Sequence, residues 1–362
     1  MTQVLVCAGE VSGDRMAAPV VLEMRRRRPW LRFFGAGGTR LETAGVELRH
    51  RVGQLAVTGF SEALGRVPAA ARMLVDLAHQ IDRRRPALAL LVDYPGVNLR
   101  LAWWLRHRGV PVLYYGAPQR WAWLQWRTAP LRRVDRLAVT LPFEESWFRQ
   151  RGVNATFVGH PVVDLFQPMS AHKARGDLGL SDGTLVVALL PGSRDNEVRR
   201  HLPVLVDALR WLPELTPLLA AAPGCADLCR RLAPDLLQTD AEHALGAASV
   251  ALCASGTATL ELARAGVPGV VFYKVSPLTY ALARYLVTVA AVALPNLVLQ
   301  QPLLPELLQH EMQGRQLAEE VRGLLREPTR TRVVEGLRQV TERLGSPGVA
   351  GRVADLAEEL LG

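Results

Sequence analysis

The sequence predicts an α/β protein of two doubly wound, Rossmann-like domains, each a mostly parallel sheet covered by helices. Three observations carry this. Short continuous apolar runs end in glycine or an acid, each is followed by a segment of helical spacing, and the alternation breaks once, at a polar, turn-rich stretch near residues 165–183, before resuming. Unbroken apolar strands are what a parallel sheet requires, because helices bury both of its faces.

The elements follow in order. VLVCAG at 4–9 reads as the first strand, and a small-residue loop leads into AAPVVLEMRRRRPW at 17–30, where Val20, Val21 and Met24 suit a helix that ends before Pro29. LRFFGAGG at 31–38 is a strand and glycine turn, residues 66–85 a helix, and PALALLVDYPG at 86–96 a strand with Asp93 at its end. NLRLAWWLRHRG, VPVLYYGAP, VDRLAVTLPFEESWFRQRG and ATFVGHP continue the series. The second series starts with TLVVALLPGSR at 184–194 and passes through a helix near 202–212, ELTPLLAAAP, a short helix holding Cys225 and Cys229, ASVALCASG, TATLELARAG and VPGVVFYK. The expected division is 1–165, 166–340 and a terminal helix in 341–362. Val349, Val353, Leu356 and Leu360 give that helix one apolar face that must dock.

Composition narrows the partners. The chain of 362 residues carries 41 arginines and 2 lysines, and its formal charge of +9 divides into +11 on residues 1–165 and −2 on the rest. A basic front half suits an anionic partner: a phosphorylated substrate, an acidic membrane surface or nucleic acid. An arginine-favouring genome explains the preference over lysine but not the shortage of acids in front. Four cysteines in so long a chain do not make a disulfide scaffold, and the Cys225/Cys229 pair lacks a second ligand pair at metal-site spacing, so zinc is not expected there. The N-terminus has no basic n-region and meets Glu10 early, so it reads as a strand and not a signal peptide, and the expected location is the cytoplasm. Residues 285–305 hold no charge, but Pro295, Asn296, Gln300, Gln301 and Pro302 interrupt them, which argues for a buried helix end and loop over a spanning helix.

Ligands of such sheets bind beyond the C-terminal ends of the strands, which selects the residues just after each apolar run. In front these are Gly9, Ser12, Gly13, Asp14, Gly35, Gly37, Gly38 and Asp93; behind, Gly192, Ser193, Arg194, Ser255, Gly256 and Thr257. Glycines let a phosphate or sugar approach the backbone, although turn glycines alone are expected in any α/β protein. Asp93 is either a base that takes a hydroxyl proton or a helix cap. His160 either donates to phosphate or orders a loop. Arg194 matches a diphosphate, and Glu261, one turn after Thr257, is placed for a ribose or is a plain first-turn acid. Tyr114, Tyr115, Trp121, Trp123 and Trp126 lie among Arg120 and Arg127, near Trp103 and Trp104. With no nucleic-acid module beside them, a membrane headgroup region or an acylated substrate is the stronger functional reading, with core packing accounting for some of these rings.

Read together, these residues resemble the lipid-A-disaccharide synthase family, glycosyltransferases of the two-domain GT-B architecture. The resemblance rests on AGEVSGD at 8–14, FGAGG at 34–38, VTGFSEAL at 57–64, VDYPGVNLRLA at 92–102, APQRWAW at 117–123, LPFE at 141–144 and VGHP at 158–161. It continues with LLPGSRDNEV at 189–198, ASGTATLELA at 254–263, FYK at 272–274, LPN at 294–296 and PELLQ at 305–309. It implies two domains facing a cleft and transfer of 2,3-diacylglucosamine from UDP to the 6-hydroxyl of 2,3-diacylglucosamine 1-phosphate, inverting to a β-1,6 linkage. Asp93 would be the general base. The nucleotide site would comprise Gly192, Ser193, Arg194, Glu197, Ser255, Gly256, Thr257, Glu261, Asn296 and Gln309. Ser12, Gly13, Asp14, Gly37, Gly38 and His160 would form the acceptor side, and Arg120, Trp121, Trp123, Trp126 and Arg127 the membrane or acyl contact.

The resemblance also implies that no metal or cofactor is needed, that the protein sits peripherally on the inner face of the cell membrane, and that the C-terminal helix either docks on the first domain or is exchanged in a homodimer. Where the family commonly reads SPQVWAWR this chain has APQRWAWL, which puts Arg120 at an apolar position and Leu124 at a basic one. Two other readings stand beside it. Another GT-B transferase or a UDP-sugar epimerase would share the sheets without needing acyl chains, and a non-catalytic anionic-lipid-binding protein would need neither Asp93 nor a nucleotide site.

Overall fold

Two all-parallel sheets organise the chain, seven strands in the order β3-β2-β1-β4-β5-β6-β7 and six in the order β10-β9-β8-β11-β12-β13. The structure, a computed structural model, describes residues 2–51, 60–119, 121–122, 125–276, 280 and 291–362, with the backbone alone for 60–67 and 125–127.

The first unit takes Met1–Pro161 and Gly345–Gly362. It opens with β1 (Gln3–Ala8), α1 (Val11–Arg27), β2 (Arg32–Gly37), α2 (Thr39–Thr43) and β3 (Val46–Arg51). Then come α3 (Phe60–Arg84), β4 (Leu88–Val92), α4 (Pro95–Arg106), β5 (Val112–Tyr115), a 3-10 segment (Gln125–Arg133), β6 (Arg136–Val139), α5 (Glu144–Arg149) and β7 (Ala155–Phe157). In the second unit, α6 (Val162–Leu165) and α7 (Ala171–Asp177) lead into β8 (Val186–Leu190), α8 (Asp195–Leu209), β9 (Thr216–Ala220), α9 (Ala226–Leu232), β10 (Leu237–Thr239) and α10 (Ala241–Ala247). The unit continues with β11 (Val250–Ala254), α11 (Ala258–Ala265), β12 (Gly269–Tyr273), α12 (Leu294–Leu299), β13 (Glu306–Leu308), α13 (Gly314–Leu325) and α14 (Thr329–Arg343).

The central strands are buried on both faces: LALLV of β4, VVALL of β8 and VALCA of β11 contain no exposed residue. In each sheet the chain order reverses at one place, between β1 and β4 in the first and between β8 and β11 in the second. Helices leave on opposite faces there, and the crevice beyond the strand ends is where ligands of such sheets bind.

The last helix, α15 (Val349–Leu361), returns to the first unit and lies on α1. It buries Val349, Val353, Ala354, Leu356 and Ala357. Arg27 reaches Asp355 at 2.6 Å and Arg352 Nε donates to the Val158 carbonyl at 2.8 Å. Helix α8 starts seven residues before the expected 202, because Asp195 and Glu197 in its first turn complement the exposed N–H groups there. Residues 291–305 contribute only the six-residue α12, and among the described residues no helix is long and apolar enough to cross a membrane. All four cysteines are buried thiols.

Candidate active site

The first switch point is built around a distorted turn. Asp93 and Tyr94 follow β4 with φ of +46° and +48°, two consecutive left-handed residues that each cost about 1–2 kcal/mol without glycine. Pro95 then starts α4 with its ring already at helical φ. The surroundings determine this turn from several sides. Asn98, fully buried one turn into α4, presents Nδ2 to the carbonyls of Cys7, Val92 and Asp93 at 3.2, 3.1 and 2.8 Å. Tyr114 donates its hydroxyl to the Asp93 carbonyl at 2.6 Å, and the Asp93 N–H donates to Tyr115 at 2.9 Å. Gly116, at φ +79°, leaves room for the Met16 methyl and the Asp93 Cβ. A partly buried carboxylate is thereby presented at the end of the sheet on a rigid mount, as a proton acceptor needs.

Several residues expected on the acceptor side hold the chain together instead. The buried Asp14 carboxylate accepts N–H groups from Gly38, Arg40 and Leu41 at 2.7, 3.1 and 3.1 Å, capping α2. A Cβ on Gly38 would meet that carboxylate at 2.6 Å, and one on Gly37 would meet Leu41 at 2.3 Å, so these glycines serve packing. Gly13 is buried against Ala8, while Ser12 is exposed on the first turn of α1. Burial pushes His160 down to about 3, so its ring stays neutral and brings no charge to a phosphate. The arginine run 25–28 is also largely engaged within the protein: Arg25 donates to Ala44, Arg26 and Arg27 grip Glu23, and Arg27 pairs with α15.

Trp121 is not a membrane contact. It is buried, edge-on to Phe143 at 4.9 Å, and its indole N–H donates to Glu144 Oε1 at 2.8 Å. Glu144 takes two further N–H groups, from Thr140 and Leu141, and desolvation still lifts its carboxyl to about 7. Arg120 and Trp123 lie outside the described residues, as do the side chains of Trp126 and Arg127. A different apolar surface is present: a groove of about 600 Å³ along α3, α4 and the 3-10 segment, lined by Leu74, Val75, Leu99, Trp103, Trp104 and Pro130, with Arg100 and Arg133 beside them. Only the paired Trp103 and Trp104 hinted at it in the sequence.

The second switch point joins two turns. After β8, Gly192 at φ +119° lets Pro191–Arg194 fold over the start of α8. Glu197 reaches back from the first helical turn to the Ser193 N–H and Arg194 Nη1, both at 3.1 Å, and accepts the Tyr273 hydroxyl at 3.3 Å. Such a reach from the third helical position is a capping carboxylate. After β11, Ser255 donates to the Val292 carbonyl at 2.8 Å, Gly256 at φ +146° faces open space, and Thr257 is exposed. Glu261 follows one turn later, partly buried.

Asn296 and Gln309 depart from expectation. Asn296 is buried and bonded on both sides of its amide, Oδ1 to the N–H groups of Leu303 and Leu304 and Nδ2 to Leu304 and Glu306. Glu306 in turn accepts the N–H groups of Val292 and Ala293. Gln309, oriented as its neighbours demand, pairs its amide with both backbone groups of Val275 at 3.1 and 3.2 Å. These two amides shape the chain beside the Ser255 turn; Asn296 has both donors and both acceptor positions engaged within the protein, while Gln309 uses one of each on Val275. Among the described residues no group of three metal-ligating side chains comes together.

The family model described as lipid-A-disaccharide synthetase matches residues 4–346. The chain belongs to the lipid-A-disaccharide synthetase family. Its relatives include lipid-A-disaccharide synthases of Myxococcus xanthus, 42% identical, and Syntrophus aciditrophicus, 39% identical, each over 99% of this chain and 97% of the relative. Among solved structures it is similar to the UDP-GlcNAc 2-epimerase of Neisseria meningitidis bound to UDP-GlcNAc, with a TM-score of 0.67 at 10% identity over 99% of this chain and 100% of that one. A calicheamicin glycosyltransferase gives 0.64 at 17% identity over 100% and 98%. At such identities these likenesses show the fold alone, the GT-B pair of Rossmann-like domains. This member of the lipid-A-disaccharide synthetase family is accordingly a glycosyltransferase.

Proposed function

We propose that the enzyme moves a 2,3-diacylglucosamine unit from UDP to the 6-hydroxyl of 2,3-diacylglucosamine 1-phosphate, yielding a β-1,6-linked disaccharide 1-phosphate and UDP. The family match over residues 4–346 carries this reading. Asp93 takes the proton as the acceptor oxygen bonds to the anomeric carbon from the face opposite UDP. The bond from that carbon to the diphosphate breaks, and its electron pair leaves with UDP. The second unit grips the donor through the Gly192–Arg194 and Ser255–Thr257 turns, and Arg194 with nearby backbone N–H groups stabilises the departing charge without a metal.

The groove along α4 receives an acyl chain. At 1.5 Å rise per residue its lining starts about 6 Å along α4 from Pro95, at Leu99, and continues to Trp103 about 12 Å along the helix. A basic first unit with an apolar groove suits a phosphorylated glycolipid at an anionic membrane surface, where the enzyme associates peripherally. The test is incubation with radiolabelled donor and the acceptor 1-phosphate, comparing the wild type with Asp93→Asn. Disaccharide from the wild type and a loss of about a thousandfold or more in the variant are expected. No disaccharide from the wild type would overturn the acceptor, and UDP release at the wild-type rate in Asp93→Asn would overturn the base.

A further inference from the structure

Lys274 is one of 2 lysines in a chain with 41 arginines, and it follows β12 at the end of the FYK motif. The other, Lys173, is paired with Asp177 at 2.7 Å. Lys274 is partly buried and makes no ion pair among the described residues. Its backbone is fixed by a side chain from another element. His201, fully buried on α8, accepts the Lys274 N–H on Nε2 at 3.1 Å, while Nδ1 lies 2.7 Å from the Pro191 carbonyl.

A carbonyl only accepts, so Nδ1 carries the ring proton and Nε2 keeps its lone pair for the lysine N–H. The 3.2 Å approach of Nε2 to the Lys274 carbonyl is then a contact and not a second hydrogen bond. Burial favours this neutral ring by holding the imidazole below its ordinary value. Phe272 and Tyr273 pack their rings against it at 5.2 and 5.6 Å.

The bridge joins ends that the sheet does not pair. β11 separates β8 from β12, so no strand ladder connects Pro191 with Lys274. One imidazole and two hydrogen bonds span the gap, and Gly192, Ser193 and Arg194 follow Pro191 directly. A second tie runs parallel, from the Tyr273 hydroxyl to Glu197, which also holds the Ser193 N–H.

We infer that Lys274 is a ligand of the donor diphosphate and that His201 is its positioning residue, holding the lysine backbone beside the Gly192–Arg194 turn. This rests on the UDP-sugar reading of the second unit. The ammonium, on a flexible four-carbon stem, adds a mobile charge to the fixed guanidinium of Arg194 and donates to the phosphate oxygen that receives the electron pair of the breaking bond.

The test measures UDP affinity by calorimetry, and kcat and KM for the donor, in the full chain. Lys274→Met should weaken UDP by about ten- to a hundredfold, as loss of a charge-assisted hydrogen bond does, and Lys274→Arg should restore most of it. His201→Phe should raise the donor KM in the wild type and add little in the Lys274→Met background. If that variant fails to fold, His201→Leu, which likewise removes both hydrogen bonds, serves in the same cycle. Additive losses in the double variant would make His201 merely structural and overturn its role. A wild type that binds UDP beside a Lys274→Met variant that binds it equally well removes the lysine alone, and a wild type that binds no UDP removes the nucleotide reading with it.

Discussion

The Tyr94 ring lies so close over Gly9 that a Cβ on the glycine would stand 2.1 Å from its Cδ1. Gly9 ends the β1 side of the switch point and Tyr94 directly follows Asp93, so the glycine lets the turn carrying the base settle on the sheet. Gly9→Ala must push Tyr94 aside and carry Asp93 with it. A displacement of the order of 1 Å is expected to lower kcat about a hundredfold, with a smaller change in donor KM. Steady-state kinetics beside a melting curve check this, and an alanine variant with wild-type kcat would show that the turn does not depend on that contact.

Two buried groups in the first unit oppose each other as pH changes. Glu144 is raised by desolvation from an ordinary 4.5 to about 7, so between those values the folded state holds a proton that the unfolded state has released, and stability falls as pH rises. His160 is lowered by burial from 6.5 to about 3, so in that window the unfolded state binds the extra proton and stability falls as pH drops. Where the windows overlap, from 4.5 to 6.5, the slopes are each about 1 kcal/mol per pH unit and cancel. Denaturant midpoints across that range should therefore slope in opposite directions in Glu144→Gln and His160→Gln. Parallel slopes would refute the assignment.

Asn296 gives a test of structural against ligand-binding roles. Asn296→Ala leaves the N–H groups of Leu303 and Leu304 and the Leu304 carbonyl without their partner, at about 1–3 kcal/mol for each group that water cannot reach. The expected result is a large fall in urea midpoint with no specific loss of donor affinity in the protein that remains folded. Unchanged stability with a raised donor KM would return Asn296 to the nucleotide site.

These outcomes bear on what the sequence made legible. Central strands such as LALLV and VVALL were readable because burial on both faces forces unbroken apolar runs. The strands that escaped, β3, β10 and β13, all lie at sheet edges, where VELRHR, LQT and ELL are partly exposed and lose that pattern. Asp93 stood out as an acid closing an apolar run. Motif membership alone did not separate ligand-facing residues from internal ones: Asp14, Asn296 and Gln309 bond to backbone, and whether a short polar side chain turns inward depends on partners distant in sequence. His201, Glu144 and Glu306 were missed for the same reason, although a Glu inside LPFE and another inside PELLQ are charged residues in apolar surroundings, the one local sign of a buried carboxylate.

The groove makes a prediction whose size can be set in advance. Val75 and Trp103 are 56% and 42% exposed, so Val75→Asp and Trp103→Glu alter the groove's surface without opening the core. A buried methylene contributes about 0.8 kcal/mol, close to a fourfold change in kcat/KM for each carbon added to a chain lying in the groove. In the wild type, acceptors of increasing acyl length should follow that slope until the groove is filled. In either charged variant the slope should flatten, while the shortest acceptors, which do not reach Trp103, keep wild-type kcat/KM. A uniform loss across all lengths would point to a general disturbance of α4 and the Asp93 turn, and an unchanged slope would place the acyl chain elsewhere on the protein.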